Sequence, residues 1–133
     1  MHIEVPSNEY FSVYNYKEFV FIKTTLSGFF PHNVDIVKQA IVENINKSAG
    51  EINPVAILDI KSVTKCDENS LRIIIQFAIN RSKRFRKKFT IIGANTNIND
   101  ILKNEKFYKD LVKIKNNVQT YKAITYYLDN CKN

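Results

Sequence analysis

VAILDIKSVTKCDENSL, residues 55–71, places an apolar run, Val55 to Ile60, ahead of a polar connector and the segment Cys66-Asp67-Glu68-Asn69-Ser70-Leu71. Leu71, Ile74, Ile75 and Ala78 then recur at helical spacing. A short run that is nearly all apolar suits a central strand covered on both faces. The strand therefore feeds a loop that ends in a carboxylate at a helix N-terminus, where backbone N–H groups carry partial positive charge. Asp67 is a good cap, and Glu68 falls in the first turn, where the dipole stabilises negative charge. Such a terminus suits recognition of an anion or acidic group, or a regulatory phosphate. Asp59, at the strand's end, is placed to shape the neighbouring loop, and no partner for acid–base work can be named.

On the N-terminal side, residues 1–8 carry Pro6, Ser7 and Asn8 and read as a lead-in. Tyr10 to Tyr16 and Phe19 to Thr25 are rich in β-formers and predict an antiparallel pair turning at Asn15 to Glu18. Leu26 to Pro31 breaks the pattern. Asn33 then offers a cap for a first helix with Val34, Val37, Ile41 and Ile45 on one face, stopping near Gly50. On the C-terminal side the second helix runs from about Asp67 to Arg84. Phe89 to Ile92 is a strand closed by Gly93, and Asn95 to Asn97 supply caps for a third helix with Ile98, Ile101 and Leu102. Leu111 to Ile114 predicts a last strand, and Thr120 caps a final helix carrying Ala123, Ile124, Tyr127 and Leu128. The order β-β-α-β-α-β-α-β-α implies an α/β fold, a mixed but mostly parallel sheet of about five strands with four helices. Residues 9–133 form a single domain in this reading, without repeat or linker.

At 133 residues, 44% hydrophobic and 25% charged, the chain has the composition of one ordinary globular domain. It has no apolar run near the ~18 residues that span a bilayer. Its N-terminus lacks the basic-then-apolar pattern of a secretory signal. Cys66 and Cys131 fit neither a disulfide framework nor a metal-ligand spacing, which points to reduced thiols in the cytoplasm. Six positive charges of the net +7 fall within 81–88, at Arg81, Lys83, Arg84, Arg86, Lys87 and Lys88. Cations at a helix C-terminus offset the macrodipole, and a solvated charged face is the simplest reading. Arg81, Arg84, Arg86, Lys87 and Lys88 could instead meet an acidic protein or the anionic surface of a membrane. With only Phe85 and Phe89 interleaved, no nucleic-acid motif accompanies them.

Nothing in the sequence assembles a catalytic site. His2 lies in the lead-in and His32 in a Pro-containing turn; no clustered His, Cys and carboxylate spacing suits a metal. Cys66 stands beside Asp67, whose negative charge disfavours the thiolate. Three glycines leave no Gly-rich phosphate loop, so neither a cofactor nor a nucleotide motif is present.

The strand ending Leu58-Asp59-Ile60, then Asp67, then Leu71 with Ile74 and Ile75 resembles the core of the STAS domain (sulphate transporter and anti-sigma-factor antagonist). Ile91-Ile92-Gly93-Ala94, the Ile98/Leu102 helix and Tyr121-Lys122-Ala123-Ile124 are similar too, and the order of elements matches over about 9–129. The resemblance implies a non-enzymatic regulator that binds protein partners through Asp67, Glu68, Asn69, Ser70 and Leu71 and the helix that follows. In the anti-sigma-antagonist branch, partner switching controls transcription. There the partner is a serine kinase-type anti-sigma factor, released by phosphorylation of the Ser or Thr after the Asp. Here that position is Glu68, with Asn69 next and Ser70 where the family prefers Gly. The Gly-x-hydrophobic-Asp element after the second strand is also absent, and Leu26-Ser27-Gly28 takes its place. A carboxylate carries about −1 where phosphate carries ~−1.5 to −2, so Glu68 is a fixed and imperfect mimic. Ser70 and Thr64 are nearby hydroxyls that do not align with the acceptor. Two other family roles stay open: a cytoplasmic accessory subunit of a lipid-transport ABC system, with a transport ATPase as partner, and a small-ligand sensor.

Overall fold

The computed structural model describes residues 2–3, 10–15, 19–46 and 55–111. In chain order the elements are β1 (His2–Ile3), β2 (Phe11–Asn15), β3 (Phe19–Thr24), β4 (Gly28–Phe29), α1 (Val34–Asn46), β5 (Val55–Asp59), β6 (Lys65–Cys66), α2 (Glu68–Arg84), β7 (Lys88–Ile92) and α3 (Thr96–Lys103). A 3₁₀ turn, Lys106–Asp110, follows. The main sheet has the order β1-β2-β3-β5-β7. Its first two pairings are antiparallel, and β3–β5 and β5–β7 are parallel, so β5 is central and flanked by parallel neighbours.

Register explains which side chains meet. Val20 pairs with Ala56 and Ala56 with Phe89; Ile22 pairs with Leu58 and Leu58 with Ile91. Alternation puts all of these on one face, where they share a core with Val37, Ala40, Ile41 and Ile45 of α1 and with Leu71, Ile74, Ile75, Ala78 and Ile79 of α2. Ile98, Leu102 and Phe107 complete it. Truncating a fully buried member such as Ile75 to Ala would cost about 2–5 kcal/mol. The intervening residues, Phe21, Ile57 and Ile92, are also buried, which is why β5 reads as a continuous apolar run.

α2 ends by geometry, not by a glycine. Arg86 adopts φ 58, the left-handed region. The Arg86 N–H reaches Lys83 O at 3.0 Å, and the Lys87 N–H reaches Ser82 O at 2.8 Å. These paired bonds form a Schellman turn. The turn folds Lys87 inward, and Lys87 is buried. The expected basic surface therefore loses one member.

Three further differences from the sequence reading have local causes. His2–Ile3, within the stretch read as a lead-in, pairs with Tyr14 and Asn15 as an edge strand. Gly28–Phe29, read as a pattern break, pairs in parallel with Lys65–Cys66 to form a two-stranded sheet. Asn33 precedes α1 but turns its amide backward, donating to Gly28 O at 2.8 Å and accepting from the Phe30 N–H at 2.9 Å. It holds the preceding turn, where the short polar side chain finds backbone partners closer than those of the helix. Leu111, the start of the expected last strand, makes an isolated parallel bridge to Phe89. The remainder of that strand and the helix capped by Thr120 lie outside the described residues, within which three of the expected four helices are seen. No helix among the described residues is long and apolar enough to cross a membrane.

Candidate functional site

The N-terminus of α2 is held from two directions. Asp67 has extended backbone angles (φ −72, ψ 128), and its carboxylate Oδ2 accepts from the Ser70 N–H and the Ser70 hydroxyl, each at 2.9 Å. These bonds hold its carboxyl below the ordinary carboxylate range, with a smaller contribution from the Arg72 cation. From the other side, the Asp67 N–H donates to Phe29 O at 2.9 Å, tying the cap to β4.

The connector is stitched to the same loop. The Thr64 N–H donates to Ser27 O at 2.9 Å, and the Ser62 hydroxyl bridges Thr24 O and Leu26 O. Asn95, which caps α3 through the Ile98 N–H, also donates to Thr64 O at 3.1 Å. Gly28 is required by close approach: a Cβ there would lie 2.8 Å from Lys65 O. The start of α2 is thus a braced platform, in which backbone partners fix the direction of the helix.

The five residues expected to meet a partner are not equivalent. Glu68 and Asn69 are exposed, Asp67 is half-buried, and Ser70 and Leu71 are buried, Leu71 in the core. Glu68 projects from the first turn with an Arg72 nitrogen 3.8 Å away, a loose i,i+4 pair. Arg72 also pairs with Glu105, linking α2 to the segment after α3. The chemically available surface is a carboxylate, an amide and the flank of α2.

Cys66, half-buried in β6, has its thiol pushed up by burial and then by the charges of Glu68 and Asp67. Asp59 lies at the C-terminal end of β5 and is fully buried. Its Oδ1 accepts from the Lys61 N–H at 2.9 Å, which fixes the turn leaving the strand. Its Oδ2 has no hydrogen-bond partner, and burial raises its carboxyl despite that bond and the charges of Lys23 and Lys61. Gly93, at φ +80, packs against this turn so closely that a Cβ would sit 2.9 Å from Asp59 Oδ1. No group of three or more His, Cys, Asp or Glu side chains able to hold a metal occurs among the described residues.

At the other end of α2, Arg81 lies over the Phe85 ring at 4.9 Å, and Lys83 pairs with Asp110 at 3.3 Å. Arg84 stands 6.0 Å from the same ring, while Arg86 and Lys88 are exposed. Arg81 is therefore engaged with its own helix end and Lys83 with the 3₁₀ turn. A feature not visible in the sequence lies between these ends: an open groove of about 640 Å³ along α2, walled by Lys38 of α1 and by Asn104 to Phe107. A smaller hollow of about 250 Å³ adjoins it toward Glu68, sharing Arg72 and Glu105. The groove's walls come from three segments far apart in the chain, so no local sequence pattern displays it.

No family model matches the sequence, and no curated protein matches it. Solved structures do match in fold. The anti-sigma factor antagonist SpoIIAA in its unphosphorylated form aligns with a TM-score of 0.56 at 10% identity, over 86% of this chain and 97% of that one. The phosphorylated form of the Bacillus cell fate determinant SpoIIAA aligns at 0.56 and 8% identity, over 85% and 98%. Murine Slc26a9, an anion transporter, aligns at 0.55 and 16% identity over 71% of this chain but only 15% of the transporter. The chain has a STAS-like fold.

Proposed function

We propose that this chain is a non-enzymatic protein-interaction domain, a partner-switching regulator similar to an anti-sigma-factor antagonist, in which fixed charge replaces the switchable phosphate. The observation that carries this reading is the arrangement at the start of α2. Glu68 and Asn69 are exposed on a braced helix N-terminus, and the neighbouring Ser70 is buried and bonded to the cap. A permanent carboxylate there favours a basic partner surface, or holds the chain in the state that a phosphate would impose on a relative. The likeness to SpoIIAA over nearly the whole length of that protein supports this reading above others. In it, the partner is a serine kinase-type anti-sigma factor met in the cytoplasm. A second reading is a cytoplasmic accessory subunit of a lipid-transport ABC system with a transport ATPase as partner; the likeness to one segment of an anion transporter supports only its coarser part, a role beside a transporter.

Site-specific photo-crosslinking in native cells tests both. A photoreactive side chain in place of Asn69 should give an adduct with a serine kinase-type protein. The same group at exposed Lys88, beyond the far end of α2, should not. An adduct with a transport ATPase would favour the second reading, and identical adducts from both positions would contradict a partner surface at the start of α2.

A further inference from the structure

We propose that the groove along α2 is the docking site for an acidic amphipathic helix presented by the protein partner. This deepens the reading above and rests on it for the occupant being a protein segment. The floor is apolar: Ile73, one of the few large apolar side chains left exposed among the described residues, lies beside half-buried Phe77, with buried Phe107 closing the far side. Phe77 packs against the core and Phe107 belongs to it, so the apolar surface left open along the groove is chiefly that of Ile73.

The charge on the walls selects the occupant. Lys38 stands over the Phe77 ring at 5.1 Å, Lys106 is exposed on the opposite rim, and Arg72 closes one end. Among the described residues of the lining Glu105 is the one carboxylate, and it is already paired with Arg72. The two lysines thus flank an apolar strip without a carboxylate facing them from the lining, which complements a helix with an apolar stripe bordered by Glu or Asp. Secondary structure follows from the walls. α1 and α2 have internally bonded backbones and offer no sheet edge, which favours an occupant that bonds its own backbone groups, as a helix does. The lining on α2 from Arg72 to Asn80 spans about 12 Å, roughly two helical turns, with Ile73 and Phe77 as its apolar positions and Gln76 and Asn80 as polar ones. The hollow beside Glu68 shares Arg72, Asn104 and Glu105 with the groove and adds the carboxylates of Glu68 and Asp100, so the acidic helix ends at Arg72 and the rest of the partner faces the start of α2.

The probe is a fluorescent peptide about 14 residues long, with Leu at i, i+4, i+7 and i+11 and Glu flanking them. A charge-reversed peptide with Lys in place of Glu serves as control. The acidic peptide should bind the intact chain, shift the backbone resonances of Ile73, Phe77 and Phe107, and bind at least about tenfold more tightly than its reversed control. Ile73→Asp should weaken it about tenfold, and so should Lys38→Glu with Lys106→Glu, which should also remove the salt dependence. Thermal melts check that each variant remains folded. Glu68→Ser should leave peptide affinity within about threefold, so that failure of the groove is separable from failure of the loop proposed above. Equal affinity for both peptides, or shifts mapping away from the groove, would overturn the proposal. So would sedimentation as a dimer that Ile73→Asp returns to monomer, since a second copy would then be the occupant.

Discussion

Ser70 gives both its N–H and its hydroxyl to one carboxylate oxygen of Asp67, each at 2.9 Å. The cap therefore consumes the serine nearest the start of α2, and Ser70 is only 2% exposed. A kinase would have to break both bonds and unwind the first turn to reach it. Incubation with a serine kinase-type anti-sigma factor and ATP should leave Ser70 unmodified by mass spectrometry. Stoichiometric phosphate on Ser70, or on exposed Thr64, would mean that a phospho-switch survives in this chain.

The two acidic residues at the start of α2 should separate by their effect on stability. Asp67→Ala removes the cap bonds and should cost about 1–2 kcal/mol in urea unfolding. Glu68→Ala loses only an exposed, long ion pair and should change stability by less than about 0.5 kcal/mol. Because the Asp67 carboxyl is held below its ordinary value of 3.8, its contribution is fully present above that value. It fades as pH falls through the lowered value, and Asp67→Asn should remove that part of the acid limb.

Asp59 should behave in the opposite sense. Burial raises its carboxyl above 3.8, so in the window between that value and the raised one the folded chain binds more protons than the unfolded chain. Stability from this group therefore falls as pH rises through the window. Asp59→Asn keeps the acceptor for the Lys61 N–H and removes the buried charge. Its melting temperature should exceed that of the parent at neutral pH, with the gap closing toward acid pH. A neutral variant that is less stable at every pH would show that the carboxylate is held by a favourable charge.

Arg86 occupies a left-handed position that a side chain adopts at a cost, while its paired backbone bonds close α2. Arg86→Gly should stabilise the chain by about 0.5–1 kcal/mol, and Arg86→Val should destabilise it by more than that. Paired melts of the two variants check the sign.

How far the sequence carries can be judged at single residues. α2 was legible because Leu71, Ile74, Ile75 and Ala78 keep helical spacing behind an Asp cap, and local chemistry and packing agree there. β5 was legible as an apolar run, although which of its residues face the helices depends on register with β3 and β7. Gly28–Phe29 and Lys65–Cys66 were not legible, because two-residue strands cannot display alternation. Lys87 read as a surface cation because a sequence records charge but not direction, and the left-handed turn at Arg86 sends it inward. Ser70 and Leu71 read as part of a contact loop, but the helix already begins at Glu68 and turns both toward the interior. The groove needed the fold, since Lys38, Ile73 and Phe107 meet only after α1, α2 and the 3₁₀ turn pack together.

The most direct test of a fixed-charge partner surface is titration calorimetry of the crosslinked partner, once purified, against the parent chain and Glu68→Ser. Removing the exposed carboxylate should change affinity by about 1–3 kcal/mol, the scale of interface charges and charge-assisted hydrogen bonds. Neutralising Arg84 and Lys88 together should leave affinity nearly intact and mainly slow association at low salt. Unchanged binding by Glu68→Ser, with binding lost in the Arg84 and Lys88 variant, would contradict the account and move the partner surface to the other end of α2.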